Sequence, residues 1–407
     1  MSRLGPGFLI TAAFIGPGTV TTATLAGAQY GYSLTWIVTF SVIATIILQE
    51  MSARLGLVTQ QGLAEAIKAS IHFAPLRYIA LLLVVCAIGF GNTAYQAGNL
   101  TGAAIGLQNL SDGSLVQWTL IISVFSALLL ATGTFSIIRN VLTILVVLMS
   151  AVFITTLWYA EPDFGEILTS LFTPSVPSGS LLTAIALIGT TIVPYNLFLH
   201  ASVAKHSLNA RSKEGQTQYV YNKDMARIRI DSSVAIAIGG LITLAIVCTS
   251  AAAFFTHGIA PNTQNLALQL EPLLGEQAKL FFAIGLLSAG ITSAVTAPLA
   301  AAYTICAVFG WSSSPKGFAF RLTWFFVLAI GTGVCFIGIT PLSAILFAQA
   351  SNGLLLPFIA IFLLWVMNKQ DILGDYTNGP ISNTLGGIIV VFVSSLGIYK
   401  LVSLFWG

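Results

Sequence analysis

Residues 12–27 read AAFIGPGTVTTATLAG, and residues 187–202 read LIGTTIVPYNLFLHAS. Each is an apolar stretch of membrane-spanning character broken in its middle, the first at Gly16, Pro17 and Gly18 and the second at Pro194. Proline supplies no N–H to the carbonyl four residues back, and its ring crowds that carbonyl, so a helix kinks or parts there. Either break alone is an ordinary kink, because proline and glycine are common in membrane helices. Their places in the chain say more. One opens the first apolar segment and the other the sixth, so they correspond if segments one to five and six to ten are two repeats. An odd number of crossings per repeat inverts the second relative to the first. Paired interruptions in inverted halves point to a solute site at the membrane midplane of a secondary transporter.

The composition supports a membrane setting. Of 407 residues, 56% are apolar and only 7% charged, against about a quarter charged in soluble domains. Soluble enzymes and nucleic-acid binders are excluded on that ground, and a net charge of +3 is too small to imply a polyanionic partner. Apolar runs fall near residues 5–31, 33–53, 76–107, 115–138, 140–160, 180–204, 228–256, 278–310, 320–338, 342–367 and 382–405, lengths that suit a hydrocarbon core about 30 Å thick. This predicts an all-α integral membrane protein of eleven helices in a single domain, with repeats at about 1–160 and 180–367 and one extra helix at about 382–405. Fourteen of the sixteen basic residues lie in gaps on one side of that alternation, and only Lys279 and Lys400 oppose them. The bias of Lys and Arg toward cytoplasmic loops then predicts a cytoplasmic N-terminus and an external C-terminus, in the plasma membrane. The first apolar stretch has no cleavage-site pattern and reads as a mature helix rather than a removed leader.

An unwound turn exposes carbonyls that favour cations, while the N–H groups of the following half-helix favour anionic or polar oxygen. Side chains decide between them. The first break offers Gly16 and Thr19, and the second Val193, Tyr195 and Asn196. None is a carboxylate, whereas a desolvated dication needs charged oxygen, or soft sulfur and imidazole for a transition metal.

With both breaks in view the chain resembles the NRAMP (natural resistance-associated macrophage protein) family of proton-coupled divalent metal transporters. The strings that carry the resemblance are GPGF at 5–8, QEMSARLGLVT at 49–59, TGAAIGL at 101–107, PYNLFLHAS at 194–202, IDS at 230–232, IGLLSAG at 284–290, LLPF at 355–358 and NKQDILGDY at 368–376. The resemblance implies a LeuT-like fold with helices 1 and 6 broken. It also implies main-chain ligands from Ala13 and Thr190, and an amide ligand from Gln349. The departures are systematic. The family's Asp-Pro-Gly-Asn corresponds to Gly16-Pro17-Gly18-Thr19, and its Met-Pro-His to Val193-Pro194-Tyr195. The acidic proton relay of its third helix falls on Gln96 and Asn99. A complete side-chain set for a metal is therefore missing.

Removing one carboxylate from a dication site forfeits a Coulomb term of several kcal/mol, since even two unit charges at ~4 Å and an effective dielectric near 20 interact by about 4 kcal/mol. Several readings stay open. One keeps a metal that is weakly bound or still hydrated; another takes a small neutral or anionic solute, with Thr19, Thr21 and Tyr195 as donors. A third is a receptor or scaffold that does not transport. An enzyme has no support, because no carboxylate pair, activated nucleophile or phosphate loop is present. No cofactor is expected, and the partners are a small solute or ion and the lipid bilayer, with the chain a monomer.

Other residues carry narrower expectations. His200, deep in the sixth segment, is either a proton carrier replacing the lost carboxylates or a histidine bonded to a neighbouring helix. His72, His206 and His257 belong to solvated loop edges. Gln349 and Asn352 share one side of the tenth helix as substrate contacts, while Gln96 and Asn99 read as bonded between helices. Glu50 and Arg54 have the spacing of an (i, i+4) surface pair, and Asp231 is expected at the inner start of segment seven near Arg227 and Arg229. Cys86, Cys248, Cys306 and Cys335 read as small buried apolar residues.

Overall fold

The structure, a computed structural model, describes residues 7–108, 110–111, 113–159, 162–209, 218–261, 275–337 and 341–406. Within them the chain is helical with no strand. The first segment is two helices, α1 (Gly7–Phe14) and α2 (Pro17–Tyr30). After α3 (Thr35–Thr59) and the short α4 (Leu63–Ser70), helix α5 (Ala74–Val85) runs through a π-helical turn at Cys86–Phe90 into α6 (Gly91–Gln108). Next come α7 (Leu115–Ala131), α8 (Phe135–Tyr159) and the short α9 (Phe164–Phe172). The sixth segment is again two pieces, α10 (Leu181–Thr191) and α11 (Pro194–Asn209). The chain continues with α12 (Gln218–Ser250), α13 (Ala278–Phe309), α14 (Phe318–Val334), α15 (Pro341–Met367), the single turn α16 (Gln370–Leu373) and α17 (Pro380–Trp406).

Every apolar run read from the sequence falls on helix. Among the described residues, eight helical stretches are long and apolar enough to cross a membrane, and α7 and α14 are shorter apolar helices. Large apolar side chains such as Phe125, Ile144, Phe326 and Val391 lie exposed on the outside of the bundle, where lipid, as apolar as the side chains themselves, is their natural surrounding.

Several expectations need correction. The fourth and fifth segments part at residues 132–134 rather than near 139, because Gly133 adopts φ +57, a conformation that ends a helix at little cost only for glycine. Arg139 therefore lies within α8. The short helices α4 and α9 were not foreseen; both are too brief for a spanning pattern. Asp231 sits well inside α12, which begins at Gln218. Cys86 is exposed on the π-turn and Cys335 only half-buried, so the reading of buried residues holds for Cys248 and Cys306 alone. His72 and His257 are exposed as expected, while the side chain of His206 lies outside the described residues.

The two interrupted helices meet crosswise: α2 packs on α10 and α1 on α11, so the first half of each lies beside the second half of the other, as in an antiparallel pair. Around them pack α3, α6, α12, α13 and α15. Small residues let these helices approach closely. One such crossing joins α10 to α15, where a Cβ on Gly189 would strike the Gln349 carbonyl and one on Gly353 the Ile185 carbonyl. This crossing holds Gln349 against the first break.

Candidate functional site

Both interruptions are present, and each follows from its proline. Helix α1 ends at Phe14 and α2 starts at Pro17, with Gly16 in extended backbone between them; α10 ends at Thr191 and α11 starts at Pro194. Pro17 cannot donate to Ala13, nor Pro194 to Thr190, so both carbonyls lose their usual partners.

Two carbonyls of the first break, those of Ala13 and Phe14, are nevertheless occupied by hydroxyls from within the protein. The Tyr195 hydroxyl donates to the Ala13 carbonyl at 2.5 Å. Thr19 Oγ1 donates to the Phe14 carbonyl at 2.5 Å, and Thr292 Oγ1 approaches the Ile15 carbonyl at 3.4 Å while bonding Ala289 at 2.8 Å. The Gly16 carbonyl accepts the ordinary helical bond from Val20. Thr19 Oγ1 has spent its proton on Phe14, so it accepts from the Gly16 N–H at 3.2 Å and from Thr190 Oγ1 at 2.7 Å, which ties the first break to the second. At the second break Thr45 Oγ1 reaches the Thr191 carbonyl at 3.3 Å. Three expectations change accordingly. The Ala13 carbonyl is not bare, and neither Thr19 nor Tyr195 has its hydroxyl proton free for a solute. A cation entering the break would have to displace these donors.

No acidic group compensates. Among the described residues no Asp or Glu is buried, and no group of three His, Cys, Asp or Glu side chains is placed to hold a metal. Val193 is buried but offers no ligand atom, and Asn196 is buried at the start of α11.

What lies beside the first break is a set of polar atoms that make no well-aligned hydrogen bond in the protein: Tyr95 Oη, both ends of the Asn99 amide, Ser293 Oγ and Gln349 Oε1. All four residues are at most 1% exposed. They converge from three helices. Tyr95 and Asn99 are one turn apart on α6, and a Cβ on Gly16 would run into Ser293 Oγ and come within 3.3 Å of Asn99 Oδ1. A Cβ on Gly18 would overlap the Gln349 amide. The Tyr95 hydroxyl faces Gln349, Tyr195 and Ser293, and its ring meets that of Tyr195 edge to face, with centroids 5.5 Å apart. Glycine at 16 and 18 is what lets these polar groups close on the break. Burying a polar atom unpaired costs about 1–3 kcal/mol, so a cluster of five is a destabilised patch of the kind found at binding sites rather than in structural cores.

The other candidate residues separate. Asn352, one turn along α15 from Gln349, is also buried and its Nδ2 lacks a partner. Gln96 donates from Nε2 to the Ala294 carbonyl at 3.0 Å while its Oε1 has no partner, so the expected interhelical bond holds for Gln96 and fails for Asn99. His200 is bonded through both nitrogens, Nδ1 to Gln49 Oε1 at 2.9 Å and Nε2 to Ser232 Oγ at 3.3 Å. With an amide oxygen on one side and a hydroxyl on the other, the neutral ring donating from Nδ1 satisfies all three groups. It is the bonded-histidine alternative that the geometry matches. Sequence reading missed Tyr95 and Ser293, the first beside the noted Gln96 and the second hidden in the small-residue run SAGITSAVTA at 288–297.

At the other end of α3, Arg54 is not a surface residue. It is 6% exposed, pairs with Glu50 at 3.3 Å, and donates to the Tyr376 and Thr377 carbonyls and to Asn378 Oδ1 at 2.6 Å. Arg229 joins Glu50 from α12 at 2.7 Å. Beneath it, Lys205 of α11 pairs with Glu65 of α4 at 3.1 Å. These ion pairs tie α3, α11 and α12 to the short helices and the turn before α17.

Comparison with known proteins gives this geometry a context. The family model described as natural resistance-associated macrophage protein-like matches residues 7–403. A divalent metal cation transporter, MntH, of Pectobacterium carotovorum subsp. carotovorum is 27% identical over 99% of this chain and 94% of its own. In fold the chain is similar to the manganese transporter of Eremococcus coleocola, solved with an aromatic bis-isothiourea compound, at a TM-score of 0.77 and 20% identity, covering 99% of this chain and 86% of that one. It is also similar to MhsT in complex with L-phenylalanine, at a TM-score of 0.66 and 16% identity over 98% and 99% of the two chains. The architecture is thus the LeuT-like one, shared by proteins whose named ligands range from a metal to an amino acid.

Proposed function

The chain belongs to the natural resistance-associated macrophage protein-like family, a multi-pass membrane family, and from that premise we propose that it is a secondary transporter with a neutral solute site. In this reading it works by alternating access around the two broken helices and handles transition metals poorly. The observation that carries the reading is the first break, where Tyr195 and Thr19 occupy the carbonyls of Ala13 and Phe14 and, among the described residues, no carboxylate is buried. A dication there would lose the charge–charge attraction, about 8 kcal/mol per carboxylate at ~4 Å and an effective dielectric near 20, and would also have to break internal hydrogen bonds.

Names of relatives favour a divalent cation as cargo, and a hydrated ion held through water by Gln349 and Asn99 is compatible with such a site. The unpaired donors and acceptors favour a small solute. Eleven crossings, inverted repeats at about 1–160 and 180–367, the extra helix at about 382–405, a cytoplasmic N-terminus, an external C-terminus, a plasma-membrane setting and a monomer complete the proposal. The antiparallel contact of the broken helices supports the inverted repeats. Coupling through the third helix is absent in this reading, since Gln96 and Asn99 do not ionise. Proteoliposome flux tests the reading: saturable, high-affinity manganese uptake that acidifies the lumen would refute it, and weak or absent manganese uptake beside saturable uptake of another solute supports it.

A further inference from the structure

Resting on that transport reading, we infer that the cluster formed by Tyr95, Asn99, Ser293 and Gln349 binds a small uncharged solute with an amide edge, a carboxamide or lactam. Asn99 has both ends of its side-chain amide unpartnered, so whichever way the group is turned it presents one donor and one acceptor side by side. The group that satisfies both at once is another amide with its N–H and C=O on the same edge, as when asparagine pairs in two bonds with the edge of a base. Gln349 Oε1 adds an acceptor, and the hydroxyls of Tyr95 and Ser293 serve in either role.

Charged ligands fit less well. A cation would meet the N–H end of Asn99 and find the carbonyls of Ala13 and Phe14 already taken. An anion would find no buried cation here: Arg54 is committed to Glu50 and residues 376–378, and neutral His200 to Gln49 and Ser232. The Tyr95 and Tyr195 rings supply an aromatic wall next to the unpaired amide, which suits a planar solute.

Two uncharged probes, uracil and nicotinamide, test the inference on the purified full-length protein. Thermal unfolding is followed with each probe, with magnesium alone and with manganese alone, and radiolabelled uracil uptake is measured in proteoliposomes. The expected result is a saturable rise in unfolding temperature with at least one probe, and saturable flux above protein-free vesicles. Asn99→Leu should lose the probe response about tenfold or more, the effect of one buried unpaired partner. Without probe it should unfold at the same temperature as the parent or higher, because it removes unsatisfied atoms. A lower unfolding temperature for probe-free Asn99→Leu would overturn the inference, since the amide would then be a structural bond. Saturable magnesium flux with no response to either probe would overturn it while leaving the transport reading standing. Absence of flux for every solute tried would sink both.

Discussion

Two tyrosines whose rings lie 5.5 Å apart differ in one respect that a single-atom change exposes. The Tyr195 hydroxyl fills the carbonyl that Pro17 leaves open on Ala13, whereas the Tyr95 hydroxyl makes no well-aligned hydrogen bond in the protein. Tyr195→Phe should therefore strand a buried carbonyl in a bilayer-depth site, a loss of about 1–3 kcal/mol, with little cavity because the ring remains. Tyr95→Phe deletes an equally buried hydroxyl and should be neutral or stabilising, since it removes a desolvated group with no compensating bond. The two deletions are matched in chemistry, burial and location, so effects of reconstitution and detergent cancel in their difference. Unfolding monitored by tryptophan fluorescence under increasing denaturant is the assay, with the parent as reference. Equal shifts for the two variants, or a larger loss for Tyr95→Phe, would refute the claim that the first break is closed from within.

Further outcomes follow from the same geometry. Gly16→Ala should destabilise by about 1–3 kcal/mol through overpacking, because its Cβ meets Ser293 and Asn99; paired with Ser293→Gly in thermal unfolding, part of the loss should return. Gly16→Asp with Thr19→Asn should not restore manganese binding in calorimetric titration unless Ser293 is also made smaller. Arg54→Ala should cost about 1.5–3 kcal/mol from its charged hydrogen bonds and should expose the turn at residues 374–378 to limited proteolysis. His200→Gln should leave the pH profile of uptake unchanged, because His200 is a bonded neutral ring; a profile that flattens in this variant would assign it a proton-carrying role.

How much of this the sequence carries depends on distance along the chain. The breaks at Gly16 and Pro194 were legible because a proline acts on the carbonyl four residues before it, wherever the rest of the chain lies. The apolar segments were legible for a similar reason, since length and charge are local properties. The partners of the freed carbonyls were not. Tyr195 and Ala13 are 182 residues apart, and nothing in either neighbourhood says that a hydroxyl rather than a solute meets the main chain. Asn99 was misjudged for the same reason: an amide in an apolar helix is usually bonded across to a neighbour, which is what Gln96 does and Asn99 does not. A signal was present in Tyr95, Gln96 and Asn99 standing close together in one helix, but which of them face the break is set by how α6, α13 and α15 cross. Arg54 shows the limit from the other side, since its spacing from Glu50 is local while its burial depends on residues 376–378.

The central claim concerns the main chain at the first break, and anomalous scattering from crystals of the full-length protein grown with manganese addresses it most directly. The account predicts no manganese peak between Gly16 and Val193, with the Tyr195 hydroxyl still resting on the Ala13 carbonyl. A well-occupied peak ligated by that carbonyl, with the tyrosine swung aside, would contradict it.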